Sequence, residues 1–300
     1  MSLLVVGSIA FDSIKTPQDE VHEILGGSAI YFSLAASLLT PVRLVGVVGS
    51  DFPLDQLHTL SGRGVDLSGV EVQEGKTFRW SGEYFGGLNH RETRWVELNV
   101  FERFQPKIPE AFRDSEFVFL ANGAPLTQLG VLEQVRRPRF VMADTMDLWI
   151  HTQRPDLDQL LRRVDGLVVN DDEALLLTQT KSLLEAGKAI REMGPGRVVV
   201  KKGEHGGILF TQDRVVPLPA YPVHQVRDPT GAGDSFAGGL MGYLARAGNT
   251  DGASFKAALA MGTVLASFAV EDFGVRRLLE ATPAEMESRY REYCSLLRID

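Results

Sequence analysis

The order of apolar segments along this chain predicts an α/β fold, with a mostly parallel central sheet, helices on both faces and a small β lid. Three observations carry that prediction. Short, continuously apolar runs recur at residues 3–7, 43–48, 117–120, 140–143, 166–169 and 197–201. Amphipathic patterns at 28–39, 128–136, 157–164, 171–178 and 183–193 separate most of them. Strands buried on both faces read as unbroken apolar runs, and alternation with helices is how parallel strands are connected. The third observation is a stretch, 76–100, that breaks this rhythm with two strand-like halves.

Taken in order, the first strand runs into Gly7-Ser-Ile-Ala-Phe-Asp12, which places Asp12 a few residues beyond its carboxyl end. Ligands of open α/β sheets bind at that edge, so Asp12 is placed to accept hydrogen bonds from a polyol; as a lone residue it reads more often as part of a turn. A second strand-like piece spans 20–25, and Gly26-Gly27-Ser28 then opens a helix. Two glycines let backbone come close to a ligand, whereas the plainer reading is a Ser N-cap. In the irregular stretch Phe78, Trp80, Gly82 and Tyr84 share one face by the two-residue period, and Arg79 falls on the other. The return segment at 93–100, with Arg94 in it and Arg91 just before, has no register that the sequence fixes. An edge sheet with scattered aromatics is the bland alternative to a lid. The last third adds a hairpin at 207–210 and 214–218 and helices near 234–247, 253–270 and 284–297.

Three hundred residues with 44% apolar content can bury a large core, as one big α/β domain or two small ones. The net charge of −8 and the lack of a basic block argue against nucleic acid or an anionic membrane as partner. The single cysteine, Cys294, excludes an intramolecular disulfide and a Cys-based zinc site, and fits a reducing cytoplasm. The run at 3–7 is too short for a signal segment, and no apolar stretch is expected to approach the roughly 20 residues of a spanning helix. A soluble cytoplasmic protein is the expectation.

Residues 226–241 concentrate the chemistry. Thr230-Gly231-Ala232-Gly233 is small and flexible, Asp234 follows at once, and apolar residues recur at Phe236, Leu240, Met241 and Leu244 before Gly248-Asn249. That spacing predicts a helix with a glycine stop, so the turn sits at a helix N-terminus. Free N–H groups and the positive end of the helix dipole converge there and suit a phosphoryl group. A carboxylate beside such a cradle is repelled by phosphate, so Asp234 fits a proton acceptor better than a phosphate ligand. The bland alternative is a tight turn with Asp234 as a helix cap. Asn170-Asp-Asp-Glu173 lies where a strand ends and a helix begins; it could hold Mg²⁺ through waters or supply dipole-favoured acids.

Asp228-Pro-Thr230-Gly231-Ala232-Gly233-Asp234 closely resembles the C-terminal signature of the PfkB/ribokinase family of sugar and nucleoside kinases. The resemblance extends from Leu3 to about Arg277. It implies one ribokinase-like kinase domain over residues 1–300, with lid segments near 13–25 and 76–100. It further implies ATP-dependent phosphorylation of a hydroxyl on a small polyol, a sugar, inositol or nucleoside. Gly231, Ala232 and Gly233 would form the anion hole and Asp234 would be the catalytic base. Asp12, Gly26, Gly27 and Ser28 would contact substrate. Tyr31 stands where many sugar kinases of the family carry Asn, which unsettles any substrate inherited from them. Asn170 and Glu173 match a motif that organises Mg²⁺ through water, with Asp171 and Asp172 as bystanders. Lys201, Gly203, Glu204 and Gly206 resemble the nucleotide-contacting loop, joined by Thr230, and residues 258–270 would wall the adenine. Some relatives bind K⁺ near the anion hole; residues 268–274 lie there, but Glu271-Asp272 is atypical, so K⁺ stays open. Either a monomer or a lid-mediated homodimer is compatible.

Two rivals fit less well. A ligand-binding protein that had lost catalysis would not need Asp234, and a dinucleotide-binding oxidoreductase should carry Gly-x-Gly-x-x-Gly after its first strand, which Gly7-Ser-Ile-Ala-Phe-Asp lacks. The lid aromatics and the outward Arg79 favour a neutral acceptor with an apolar or planar part over a sugar phosphate. Nucleoside (adenosine-like), free-sugar and inositol acceptors all remain open, with sugar slightly favoured.

Overall fold

Runs of Val, Leu and Phe with no polar side can be satisfied only inside a protein. The structure, a computed structural model, describes residues 1–88 and 90–298 and places those runs at the centre of a nine-stranded sheet. In chain order the strands are β1 (Leu3–Val6), β2 (Ala10–Lys15), β3 (Glu20–Gly26), β4 (Val42–Gly49), β5 (Val65–Gln73), β6 (Phe78–Phe85) and β7 (His90–Glu97). They continue as β8 (Phe117–Leu120), β9 (Phe140–Asp144), β10 (Gly166–Asn170), β11 (Arg197–Lys201), β12 (Gly207–Phe210) and β13 (Val215–Leu218). The main sheet has the order β13-β12-β11-β10-β9-β8-β1-β4-β5, parallel from β5 to β11 and antiparallel at β12 and β13. Chain order reverses between β1 and β8, so the switch-point crevice lies at their carboxyl ends.

The helices are α1 (Ser28–Ser37), α2 (Asp55–Ser61), α3 (Pro125–Leu132), α4 (Asp147–Thr152), α5 (Arg154–Leu161), α6 (Asp171–Thr178) and α7 (Leu183–Glu192). After the hairpin come α8 (Ala232–Ala247), α9 (Gly252–Ala269), α10 (Arg276–Glu280) and α11 (Pro283–Leu296). Alternate residues of each central strand feed two apolar layers. Leu3, Val5, Phe117 and Phe119 pack under α1, α8 and α9, whereas Leu4, Val6, Val118 and Leu120 pack under α3, α5 and α7.

A second sheet, β3-β2-β6-β7, forms the lid. Its register puts Asp12 beside Trp80 and Ala10 beside Phe78, and Tyr84 opposite Arg91. Register partners point to one side, so Asp12, Phe78, Trp80, Tyr84 and Arg91 share the face toward the main sheet. Arg79 lies on the other face, bonded to Asp51 and Glu23 at 2.8 Å each. Arg94 is also outside, at 2.7 Å from Glu83. The lid rests on a small buried cluster of Ile14, Tyr84, Leu88 and Phe273. Asp51 anchors the start of β6 by accepting from the Thr77 N–H and hydroxyl at 2.8 and 2.7 Å.

Several expectations need correction. Asp12 lies on a strand, β2, rather than in a loop, because its polar residues are buried between neighbouring lid strands. The edge strand β5 mixes exposed and buried positions and gives no continuous apolar run. The short helices α2, α4 and α10 were also unanticipated. α3 and α5 begin earlier than expected, at 125 and 154, because Pro125 and Pro155 start them upstream of the apolar pattern. At 18 residues, α9 is long and apolar enough to cross a bilayer, contrary to expectation; 67% of it is buried, as in a core helix.

α8 crosses α1 so closely that a Cβ on Gly238 would strike the Phe32 carbonyl and come 3.0 Å from the Ala35 methyl. Backbone cannot yield as a flexible side chain does. Gly238→Val should therefore lower stability by about 1–3 kcal/mol or more, read as a lower denaturation midpoint. An unchanged midpoint would show that the α1–α8 contact has room to spare.

Candidate active site

The turn before α8 is shaped by its neighbours. Gly231 has φ +73, a left-handed conformation that favours glycine, and a Cβ there would collide with the Tyr31 ring. Asp228 is fully buried and accepts the Thr230 N–H at 2.9 Å and the Gly274 N–H at 3.0 Å. The Ala232 N–H donates to the Pro229 carbonyl at 3.2 Å, whereas among the described residues those of Gly231 and Gly233 have no carbonyl partner. The open cradle is therefore formed by the two glycines rather than by all three residues of the turn.

Asp234 stands in the first turn of α8, half-buried. Burial raises its pKa to about 7, the Asp144 charge adds to that, and Lys201 and Arg91 oppose it. Lys201 ends β11 and Asp144 ends β9, with Nζ 3.8 Å from Oδ2. A Cβ on Gly233 would lie 2.9 Å from the same Nζ, so the ammonium sits against the anion turn. Burial works against the Lys201 charge, but Asp144, Glu173 and Asp234 outweigh it and keep the group protonated.

Asn170 and Glu173 form a capping box on α6: Asn170 Oδ1 accepts the Glu173 N–H at 2.7 Å and Glu173 Oε2 accepts the Asn170 N–H at 2.8 Å. The Glu173 carboxyl, raised to about 7 by burial and further by Asp144, also faces Lys201. Among the described residues no group of three or more His, Cys, Asp or Glu side chains is arranged to hold a metal. A cation here would keep most of its water, as Mg²⁺ does; Glu173 Oε1, outside the capping box, is the oxygen able to hold such a water.

On the acceptor side, Asp12 is 4% exposed and lies so close against Gly26 that a Cβ there would overlap its carboxyl. Burial, then Asp228, lift its pKa to about 8, while the Gly27 N–H opposes the shift. Gly27, at φ +98, would otherwise meet the Ser8 carbonyl at 2.5 Å. The Ser28 hydroxyl is already engaged with Ser8, N–H at 3.2 Å and hydroxyl at 3.0 Å, so it braces the loop. Tyr31 is 1% exposed, and its hydroxyl has no hydrogen-bond partner among the described residues. That hydroxyl faces Asp12, Asp228, Tyr84 and Asp234, whose charges, after burial, raise its pKa.

Gly203, Glu204 and Gly206 form the tight turn between β11 and β12, with φ +53 and +83 at the glycines. Thr230, expected on the nucleotide, shares a hydrogen bond with the lid's Tyr84 at 2.9 Å. The apolar wall expected at 258–270 is largely core, with only Ala266 and Val270 partly open. Asp144 escaped the sequence reading, although an acid directly after the apolar run 140–143 obeys the rule that singled out Asp12. Arg91 and Tyr84 reach the site only through a strand register that sequence does not give.

An α/β sheet with a β lid, a glycine turn at a helix N-terminus and an adjacent acid are the features of a ribokinase-like sugar or nucleoside kinase. Residues 112–282 match the pfkB family carbohydrate kinase model, and the chain belongs to that family. It transfers the γ-phosphate of ATP to a hydroxyl of a small polyol. It is 30% identical to a cytidine kinase from Thermococcus kodakarensis, over 81% of this chain and 88% of that protein. A nucleoside kinase from Methanothermobacter thermautotrophicus is 28% identical, over 91% of each. Burkholderia thailandensis nucleoside kinase in complex with inosine superposes with a TM-score of 0.80 at 21% identity, covering 98% of this chain and 99% of that one.

As the expected base, Asp234 would have to be unprotonated to accept a proton, and its pKa is raised to about 7. The rate kcat/KM should therefore climb about tenfold per pH unit below that value and level off above it. Asp144→Asn removes the charge that, after burial, raises Asp234 most, so its profile should break at lower pH. Profiles for both enzymes, each scaled to its own plateau, check this; a break that stays in place or moves up would contradict it.

Proposed function

We propose that the acceptor is a nucleoside and that Asp234 takes the proton of its hydroxyl. One observation carries the acceptor reading: aromatic rings wall the switch-point crevice beside the site. Phe101 lines the cleft formed by Gly7, Ala121 and Asn122, and it stacks on Phe78 of the lid at 5.4 Å and on Phe104 at 5.8 Å. Flat apolar surfaces of that kind suit a base, while Asp12 and the Gly26-Gly27 backbone suit ribose hydroxyls. The nucleoside and cytidine kinases among the relatives support the same reading. A sugar phosphate would call for converging cations, yet Arg79 and Arg94 are paired outside the lid.

In the reaction, the acceptor oxygen bonds to the γ-phosphorus as its proton passes to Asp234. The bond from γ-phosphorus to the bridging oxygen breaks, and ADP leaves. The Gly231 and Gly233 N–H groups and Lys201 face the transferring group, while the Gly203–Gly206 turn borders the nucleotide. Bound Mg²⁺ would supply charge neutralisation on the phosphates; Glu173, and Asn170 through the capping box, would orient its water. The loop at 268–274 is already tied, with the Val270 carbonyl accepting the Arg227 N–H at 2.8 Å and Glu271 held by Arg277 and Arg289, so the proposal needs no K⁺. A cytoplasmic kinase is proposed, with a lid-mediated homodimer as the assembly that the exposed strand β7 would permit beside a monomer.

A panel of nucleosides, free sugars and inositols assayed for ADP release tests the acceptor. Turnover of nucleosides at least tenfold better than of sugars is expected, roughly the worth of one well-placed contact. Turnover of free sugars or inositols equal to or better than that of nucleosides would overturn the reading. On the best acceptor, Asp234→Asn should lower kcat by roughly 10²–10⁴-fold with the fold intact. A variant keeping more than about a tenth of the activity would remove Asp234 from the base role.

A further inference from the structure

The switch-point cleft that Phe101 and Phe104 line is apolar apart from three side chains among the described residues, those of Asn122, Thr127 and Gln128. Gln128 is buried and donates from Nε2 to the Leu120, Ala121 and Asp144 carbonyls at 3.1, 3.0 and 3.0 Å. It thereby ties the end of β8 to the end of β9 and fixes the backbone from which Asn122 projects. The Thr127 hydroxyl can donate or accept, so it imposes no choice on a ligand. Asn122, half-buried, offers one kind of bond only. An indole N–H can only donate, so Nε1 of Trp149 on α4, 3.0 Å away, marks Oδ1 as the accepting end of the Asn122 amide. Nδ2 donates to the Met146 sulfur at 3.1 Å, a weak acceptor that takes one of its two N–H groups. Among the described residues the other N–H has no partner, and the amide cannot turn over to offer oxygen without losing the Trp149 bond.

We propose that Asn122 is a specificity-determining residue that reads the nucleobase, donating its remaining Nδ2–H to a ring nitrogen or carbonyl oxygen on the edge of a base stacked against Phe101. Trp149 is then a positioning residue, which acts on the base only through the amide it orients. The common bases all carry an accepting atom of this kind, such as O2 of a pyrimidine or N3 of a purine. The contact therefore separates nucleosides from acceptors without a base, rather than one base from another. A free sugar or an inositol places no acceptor in the cleft and leaves the amide N–H to water. Gln128 and Trp149 hold the donor in place before a ligand arrives, so less freedom is lost when the bond forms. The base is remote from the reacting phosphorus, so the bond is made equally in the ground state and the transition state. Its loss should accordingly appear in KM rather than in kcat.

The proposal deepens the nucleoside reading and rests on it. Asn122→Ala should raise the KM of the best among cytidine, uridine, adenosine and inosine by about tenfold or more, with kcat changed less than about threefold. For methyl β-ribofuranoside, which has the sugar and no base, kcat/KM should stay within about threefold of wild type. Asn122→Asp still accepts from Trp149 but turns an oxygen toward the cleft, so it should raise the nucleoside KM at least as far as Asn122→Ala. Trp149→Phe frees the amide to turn over and should raise the nucleoside KM in the same direction, again sparing the riboside. A second measurement needs no turnover: by calorimetry, Asn122→Ala should weaken binding of that nucleoside by about tenfold or more and leave the Mg²⁺ complex of the ATP analogue AMPPCP unchanged. Equal losses on nucleoside and riboside, a parallel loss of AMPPCP binding, or no loss on any of them would overturn the role of Asn122. Each of those results leaves the nucleoside reading standing if the wild-type enzyme prefers nucleosides. A wild-type enzyme that uses the riboside as well as it uses nucleosides would overturn both.

Discussion

A fully buried aspartate, with each oxygen taken by a different loop, is the constraint on which the site depends. Asp228 Oδ1 holds the Thr230 N–H ahead of the anion turn, and Oδ2 holds the Gly274 N–H. The second loop is the seat of the lid: Phe273 packs with Ile14, Tyr84 and Leu88, and a Cβ on Gly274 would lie 2.5 Å from Ile24 of β3. Burial raises the Asp228 pKa, and the bonds from Gly274 and Thr230 oppose the rise. An unpaired carboxylate could not sit there, since desolvating a charge without partners costs several kcal/mol. The glycine turn and the lid seat therefore share one side chain, and neither can move far without disturbing the other.

Around that joint, charge is arranged to be balanced only in part. Four acids, Asp12, Asp144, Glu173 and Asp234, converge at the carboxyl edge of the sheet or under the lid, faced by Lys201 and Arg91. Burial of so many carboxyls raises their proton affinities, and those of Asp234 and Glu173 to about 7. The Mg²⁺ complex of ATP is itself anionic, so the ammonium, the guanidinium and the helix N-terminus are the groups suited to meet it. Carboxyls buried with raised proton affinities beside the glycine turn are a use of charge that favours function over stability.

Much of this was legible in the sequence. The parallel sheet followed from unbroken apolar runs, and the glycine turn at a helix start followed from Thr230–Asp234. The shared face of Phe78, Trp80 and Tyr84 followed from a two-residue period that the register bears out. What stayed hidden depended on pairings between distant segments. Arg91 and Arg94 are three residues apart and alternate to opposite faces, but only the pairing of Tyr84 with Arg91 tells which of them faces the cleft. The burial of β2 is set by lid neighbours rather than by its own composition, so Asp12 read as part of a turn and not of a strand. The Asn170–Glu173 box was visible as a pair, but sequence could not tell a cap from a metal motif, and the structure shows that the cap is made whether or not a cation joins it.

Asp234 as base, and not as nucleophile, is tested most directly by the stereochemistry at phosphorus. With ATP made chiral at the γ-phosphate by oxygen isotopes, direct attack by the acceptor hydroxyl predicts inversion of configuration in the phosphorylated product. Retention would mean two successive displacements through a phosphorylated enzyme, and would contradict the account.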